Sequence, residues 1–236
     1  MLTRIFTLCL LMTVCAAFAS AQEEQAVSFD DSALPRTATA IEKFLPSGWM
    51  VEARISGDLN NDSVPDTALK LIEKPAADVD KDNPASRERV LMILFVNRQG
   101  IFERAATAKS LLQCTGCGGA FYGVMEAPAD VAIARGVLIV KQDHGSRNVT
   151  ETTYRFRYNP GVKKFALIGY DMTDRDRATG ETTSESTNYL IGVKITETFQ
   201  YSKKFDKDVK KTNRRIKIKK SPQYLEEIDY ETLDDD

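Results

Sequence analysis

Four oxygen-bearing side chains recur at positions 1, 3, 5 and 9 of one short stretch, as Asp58, Asn60, Asp62 and Asp66 in Gly57-Asp58-Leu59-Asn60-Asn61-Asp62-Ser63-Val64-Pro65-Asp66. That spacing matches the chemistry of calcium, a hard cation that takes six to eight oxygens at roughly 2.3–2.6 Å. The backbone carbonyl of Val64 stands at position 7, where such loops use a main-chain oxygen. With no ion, Asp58, Asp62 and Asp66 would repel one another, so a purely solvated turn is the poorer explanation. The expected ligands are therefore Asp58, Asn60, Asp62, Val64 and Asp66, and the expected ion is Ca2+. Position 12 is Leu69, so the bidentate glutamate of a helix–loop–helix site is absent and a strand–loop–strand setting is implied. Asp78, Asp80 and Asp82 begin a second such pattern, but Pro84 and Arg89 follow, and the segment reads as a solvated linker.

Cys114 and Cys117 form the second group with chemistry, in Cys114-Thr115-Gly116-Cys117-Gly118-Gly119. In an oxidising compartment the two are expected to pair. So small a ring adds only about 2 kcal/mol of chain-entropy stabilisation. A redox pair would open a helix inside a βαβ unit, whereas the flanks here are glycine-rich and strand-like. With His144 the pair gives three zinc ligands, one short of a closed tetrahedron. His144 also sits in Asp143-His144-Gly145-Ser146, a spacing that invites a hydrolase reading, although a lone histidine at a strand end is more often a hydrogen-bonding residue.

The compartment follows from the first 21 residues. Arg4 precedes an apolar run from Ile5 to Phe18, too short to span a bilayer, and Ala19-Ser20-Ala21 forms a small-residue cleavage signature before Gln22. A lipid-anchor reading would use Cys15, but bulky Val14 precedes it. Cleavage after Ala21 predicts a periplasmic or secreted protein of 215 residues with 31 basic and 34 acidic side chains. That balance argues against nucleic acid as a general partner, and no later apolar run approaches a membrane-spanning length.

These groups need elements to hold them. Residues 22–36 read as a flexible leader, and Thr37 to Lys43 as a short helix stopped by Pro46 and Gly48. Val51, Ala53 and Ile55 alternate with Glu52 and Arg54, as in a half-buried strand; Thr67 to Ile72 returns after the acidic loop. Val90 to Val96 is apolar on both faces and reads as a central strand, with Ile101 to Ala106 as its partner. Residues 107–130 lack periodicity, and a loop that long is usually functional or mobile. Further strands are expected at Val131 to Ala134, Val137 to Lys141, Tyr154 to Tyr158, Phe165 to Gly169 and Tyr189 to Tyr201, with Asp171 to Thr187 a polar, acidic stretch. About nine to eleven strands with one short helix predict an all-β fold of antiparallel meanders.

The C-terminal residues 202–236 are expected to form a basic hairpin and an acidic tail. Residues 203–220 hold ten Lys or Arg against Asp206 and Asp208, and residues 221–236 hold seven acids and no base. The basic run suits an anionic surface such as lipopolysaccharide or nucleic acid. The simpler expectation is a polar edge hairpin with Ile216 and Ile218 inward, lysines discouraging edge pairing, and the acidic tail screening the patch.

The stretch Trp49 to Ile72 resembles the calcium loops of the FG-GAP and VCBS class, which also occur in integrin-type β-propellers. The remainder is similar to exported bacterial proteins that join one such loop to a Cys-x-x-Cys-Gly-Gly segment and aromatic strands, carried here by Cys114, Cys117, Gly118, Gly119, Gly145, Ser146 and Tyr154 to Tyr158. The resemblance implies a calcium-stiffened module but imports no activity. Ser63 stands where such loops usually place glycine for a positive φ, which predicts weaker binding. At about 40–50 residues per blade, the chain falls short of a closed ring, so a partial propeller or curved multi-sheet fold over residues 37–201 is expected. The functional expectation is a non-catalytic exported binding or structural module that meets a protein or glycan through its long loops. The alternative is a periplasmic hydrolase or thiol-redox enzyme using His144 or the Cys114/Cys117 pair.

Overall fold

The computed structural model describes residues 28–76 and 85–232, so the expected leader peptide and the Asp78–Asp82 decoy lie outside the described residues. Two antiparallel sheets make up the fold. The first contains β1 (Thr37–Ala38), β2 (Trp49–Gly57), β3 (Asp66–Glu73), β4 (Arg89–Val96) and β5 (Phe102–Ala108), in the order β1-β5-β4-β3-β2. The second contains β6 (Ala129–Ala134), β7 (Val137–Gly145), β8 (Asn148–Asn159), β9 (Lys164–Asp176), β10 (Glu181–Asn188), β11 (Val193–Ser202) and β12 (Lys207–Lys217), an uninterrupted meander in chain order. The all-β antiparallel expectation holds, and neither sheet closes into a barrel.

Alternation explains where the core lies. Leu91 and Ile93 of β4 face the second sheet and pack with Leu138, Val140, Tyr154, Phe156 and Phe165. Val90, Met92 and Leu94 face the other way, onto a second cluster of Phe29, Ile41, Phe44 and Trp49. The continuous apolar run of β4 thus serves two cores at once, as the sequence pattern predicted. The C-terminal segment closes the main core: Leu225 and Ile228 are buried in it, and Tyr224 makes a bridge with Ala166 of β9.

Three local expectations are corrected. The helix expected over Thr37 to Lys43 is instead strand β1 followed by a single 3-10 turn, Ile41–Phe44. Thr37 and Ala38 pair with Glu103 and Phe102, and Pro46 leaves too few residues for a second turn. The polar stretch Asp171 to Thr187, to which the sequence pattern assigns no strand, is the end of β9 and nearly all of β10, folded about Asp176 and Gly180. Cross-strand polar contacts stand in for the missing apolar alternation, among them Ser186 Oγ to Asp171 (2.7 Å) and Thr150 Oγ1 to Asp174 (2.9 Å). In β12, Ile216 is exposed rather than inward, because no second layer lies beneath that strand.

Candidate functional site

The acidic loop connects β2 to β3 and is wound tightly by its own side chains. Asp58 accepts N–H bonds from Asn61 (2.7 Å) and Ser63 (2.9 Å), Asn60 accepts from the Asp62 N–H (3.0 Å), and Asp62 accepts from the Val64 N–H (2.8 Å). Asn61 and Ser63 lie at φ +64° and +67°, in the left-handed region. The serine thus occupies the positive-φ position that the sequence marked as wanting glycine.

Asp66 behaves differently from the other donors. It opens β3, is fully buried, and its two carboxylate oxygens accept the Leu59 N–H (2.8 Å) and the Val96 N–H at the end of β4 (3.0 Å). It therefore ties both ends of the loop to the sheet. Burial pushes its carboxyl above the ordinary aspartate range, against the lowering effect of those N–H bonds. Among the described residues no Lys or Arg forms an ion pair with Asp58, Asp62 or Asp66. The donor set fits calcium in chemistry, since every ligand is a hard oxygen. The carboxylates are not drawn into one cage: among the described residues no three His, Cys, Asp or Glu side chains are gathered as a metal site. Asp58 and Asp66 spend their oxygens on backbone amides instead.

Cys114 and Cys117 are joined in a disulfide within the segment between β5 and β6. Ser86 Oγ donates to Cys114 Sγ (2.8 Å), and the Tyr230 hydroxyl lies 3.2 Å from Cys117 Sγ as a donor. The second of the two glycines that follow is required by a close approach to β7. Gly119 sits at φ +69°, and a Cβ there would fall 2.5 Å from the Gly145 carbonyl oxygen. The Gly145 N–H in turn donates to the Gly118 carbonyl (2.9 Å).

Cys117, His144, Tyr230 and Glu231 line a cavity of about 340 Å³. Burial, reinforced by the hydrogen bond to Glu231, pushes the Tyr230 hydroxyl well above the usual phenol range. Burial likewise raises the Glu88 carboxyl, with Glu73 and Glu231 adding to it. A Ser–His hydrolase needs nucleophile and base within about 3 Å of each other. Asp143 instead accepts a short hydrogen bond from the Tyr122 hydroxyl, and the Ser146 N–H goes to the Asn148 carbonyl. Among the described residues no hydrogen bond joins His144 to Ser146 or Asp143.

The residues that sequence reasoning missed are those brought from far along the chain. Ser86 and Tyr230 contact the disulfide across sequence separations of 28 and 113. Glu52 is another: the strand pattern pointed it at solvent, but it is the extra residue of a β-bulge in β2 and turns inward. There it meets Arg89 and Lys70, and Lys70 also donates to the Ala129 carbonyl of β6 (2.7 Å). The irregular register could not be read from composition. Comparison with protein families, with characterised proteins and with solved structures found no match to the chain.

Proposed function

We propose that the protein is a non-catalytic exported binding or structural module whose β2–β3 loop takes one calcium ion, in the manner of the FG-GAP and VCBS loops it resembles. The observation that carries the reading is Asp66, a fully buried carboxylate with no cationic partner among the described residues. A buried anion held only by N–H groups leaves a favourable place for a cation. Asp58, Asn60, Asp62, the Val64 carbonyl and Asp66 would hold the ion, and calcium would supply charge neutralisation and loop rigidity rather than chemistry. The long segment between β5 and β6, 109–128, would meet a protein or glycan partner.

Calcium titration tests this directly. With Ser63 in a left-handed conformation and no carboxylate at position 12, the expected dissociation constant is about 10⁻⁴–10⁻³ M. At ten times that concentration the stabilisation is about 1.4 kcal/mol, a rise of a few degrees in Tm for a domain of this size. Asp58→Ala and Asp62→Ala should remove the shift, and each should lower the calcium-free melt modestly through the loop N–H bonds it gives up. No heat and no shift with the wild type at millimolar calcium would reduce the loop to an acidic turn.

A second reading, a thiol-redox enzyme, is favoured by one observation: the disulfide sulfur Cys117 opens onto the cavity beside His144 and Tyr230. Its surroundings disfavour it, because the residues that line the cavity with Cys117 include the acidic Glu231 rather than a lysine or arginine that would favour a thiolate. Rapid reduction of the bond by a dithiol protein, faster than by free glutathione, would support it.

A further inference from the structure

We propose that the wing formed by β10, β11 and β12 is the face by which this protein lies against an anionic lipid surface. The inference goes beyond the calcium reading and stands on different residues.

The second sheet is wider than its core. The buried apolar side chains that it contributes come from β6 to β9, while β12 is exposed along almost its whole length and has no layer on either side. Directly paired residues project from the same face of a sheet. Tyr170 and Met172 of β9 face the core, and their partners run through Thr187 and Glu185 to Lys194 and Thr196. The opposite face of β11 therefore presents Val193, Ile195, Phe199 and Tyr201, with Glu197 among them. Beside this apolar row, β12 sets Lys217, Arg215 and Lys210 in register with Val193, Ile195 and Phe199. An apolar row edged with cations is the pattern of a surface that rests at the boundary between headgroups and acyl chains.

The hairpin tip repeats the pattern. Phe205 is 58% exposed and stands among Lys203, Lys204 and Lys207. The acids within the hairpin are already occupied: Asp208 pairs with Arg175 (3.2 Å) and Asp206 accepts from the Tyr201 hydroxyl. Glu197 is held by Lys210. Lys203, Lys207, Lys211, Arg214, Arg215 and Lys217 form no ion pair among the described residues.

Among the described residues, the acids of the C-terminal segment lie away from this patch. Through Thr232 the segment runs over the main core, anchored by Leu225 and Ile228, with Glu227 on Lys164 and Tyr230 on Cys117. A second copy is a poor occupant of the β12 edge, since pairing would set lysine against lysine. Duplex nucleic acid would leave the apolar row of β11 without a partner. A planar anionic lipid surface satisfies the charge and the apolar row together, each cation near the headgroups raising affinity about fivefold.

The test is co-sedimentation of the full chain with phosphatidylcholine vesicles, with and without about one third phosphatidylglycerol. The salt is raised so that the Debye length falls from about 10 Å to about 3 Å. Every variant carries the same N-terminal residues, so differences between variants report on the residues changed. The expected result is binding that needs the anionic lipid and weakens with salt. Arg215→Glu with Lys217→Glu should lower the affinity at least about 25-fold. Phe205→Ser should lower it at low and high salt alike. Reversal at Lys43 and Lys74, exposed elsewhere, should leave it unchanged, and thermal melts should show all variants folded. Equal binding to both vesicle types, binding untouched by the Arg215/Lys217 reversal, or release from vesicles by stoichiometric duplex DNA would overturn the proposal.

Discussion

The guanidinium of Arg89 grips the carboxylate of Glu52 through two N–H donors, Nε to Oε2 and Nη2 to Oε1, both at 3.0 Å. Arg89 is 2% exposed and spends its third donor on the Ala127 carbonyl (2.7 Å), so one side chain ties β2 and β4 to the approach of β6. The pair lies at the junction of the two sheets, and Lys70 shares the same carboxylate (3.2 Å). Removing one partner strands a buried charge, which costs about 3 kcal/mol or more. Glu52→Ala should therefore lower the urea midpoint sharply with little change in slope. Replacing both residues by Leu and Met should recover much of the loss. A Glu52→Ala variant as stable as the wild type would mean the cluster contributes nothing to holding the sheets together.

Ser63 should be improvable. At φ +67° a non-glycine residue bears roughly 1–2 kcal/mol of steric cost, partly offset in a glycine variant by greater unfolded-chain entropy. Ser63→Gly is expected to stabilise the calcium-free protein by about 0.5–1 kcal/mol and to tighten calcium binding. Denaturant melts and calorimetry read the two effects separately. A destabilised glycine variant would show that the serine side chain, not the backbone, sets the loop.

The disulfide should matter modestly. Its ring spans four residues, so the double Cys114→Ser, Cys117→Ser variant should lose about 2 kcal/mol. Thiol counting on the denatured native protein should find neither cysteine free. A loss of much less than this, with ready dithiol exchange, would move the weight to the redox reading.

Acid stability should carry the signature of Asp176. The Arg147 side chain, with N–H bonds from Ala178 and Thr179, holds its carboxyl at about 2, below the ordinary 3.8. A folded value below the unfolded one contributes stability that is present above 3.8 and lost as pH falls through about 2. Asp176→Asn should thus be less stable than the wild type at neutral pH and converge with it near pH 2. The acid limb of its stability curve should be flatter, an effect that high salt reduces because Arg147 is exposed. Parallel curves for the two proteins across that range would show the carboxyl titrating normally.

Much of this molecule is legible along the chain. Alternation over Val51 to Ile55 and the unbroken apolar run Val90 to Val96 marked two of the strands, because side-chain period follows backbone geometry, and Thr67 to Ile72 was legible as the strand returning from the acidic loop. The spacing of Asp58, Asn60, Asp62 and Asp66 marked a tight acidic loop between two strands, expected as a calcium site, and Ser63 marked the positive φ within it. Those are local properties, governed by neighbours a few residues away.

Sheet membership and burial without alternation were settled by packing. Asp171 to Thr187 carries no apolar period, because its strands run from the edge of the core outward and bond across to their neighbours through Ser, Thr and Asp side chains. The bulge at Glu52 shifts the phase of β2 by one residue, so a carboxylate that alternation points outward turns in to Arg89. The choice of Asp66 over its three companions as the buried one depends on the Val96 N–H, 30 residues away. Each of these is decided by a contact between distant segments, whose free energy exists only once the two sheets have closed on each other.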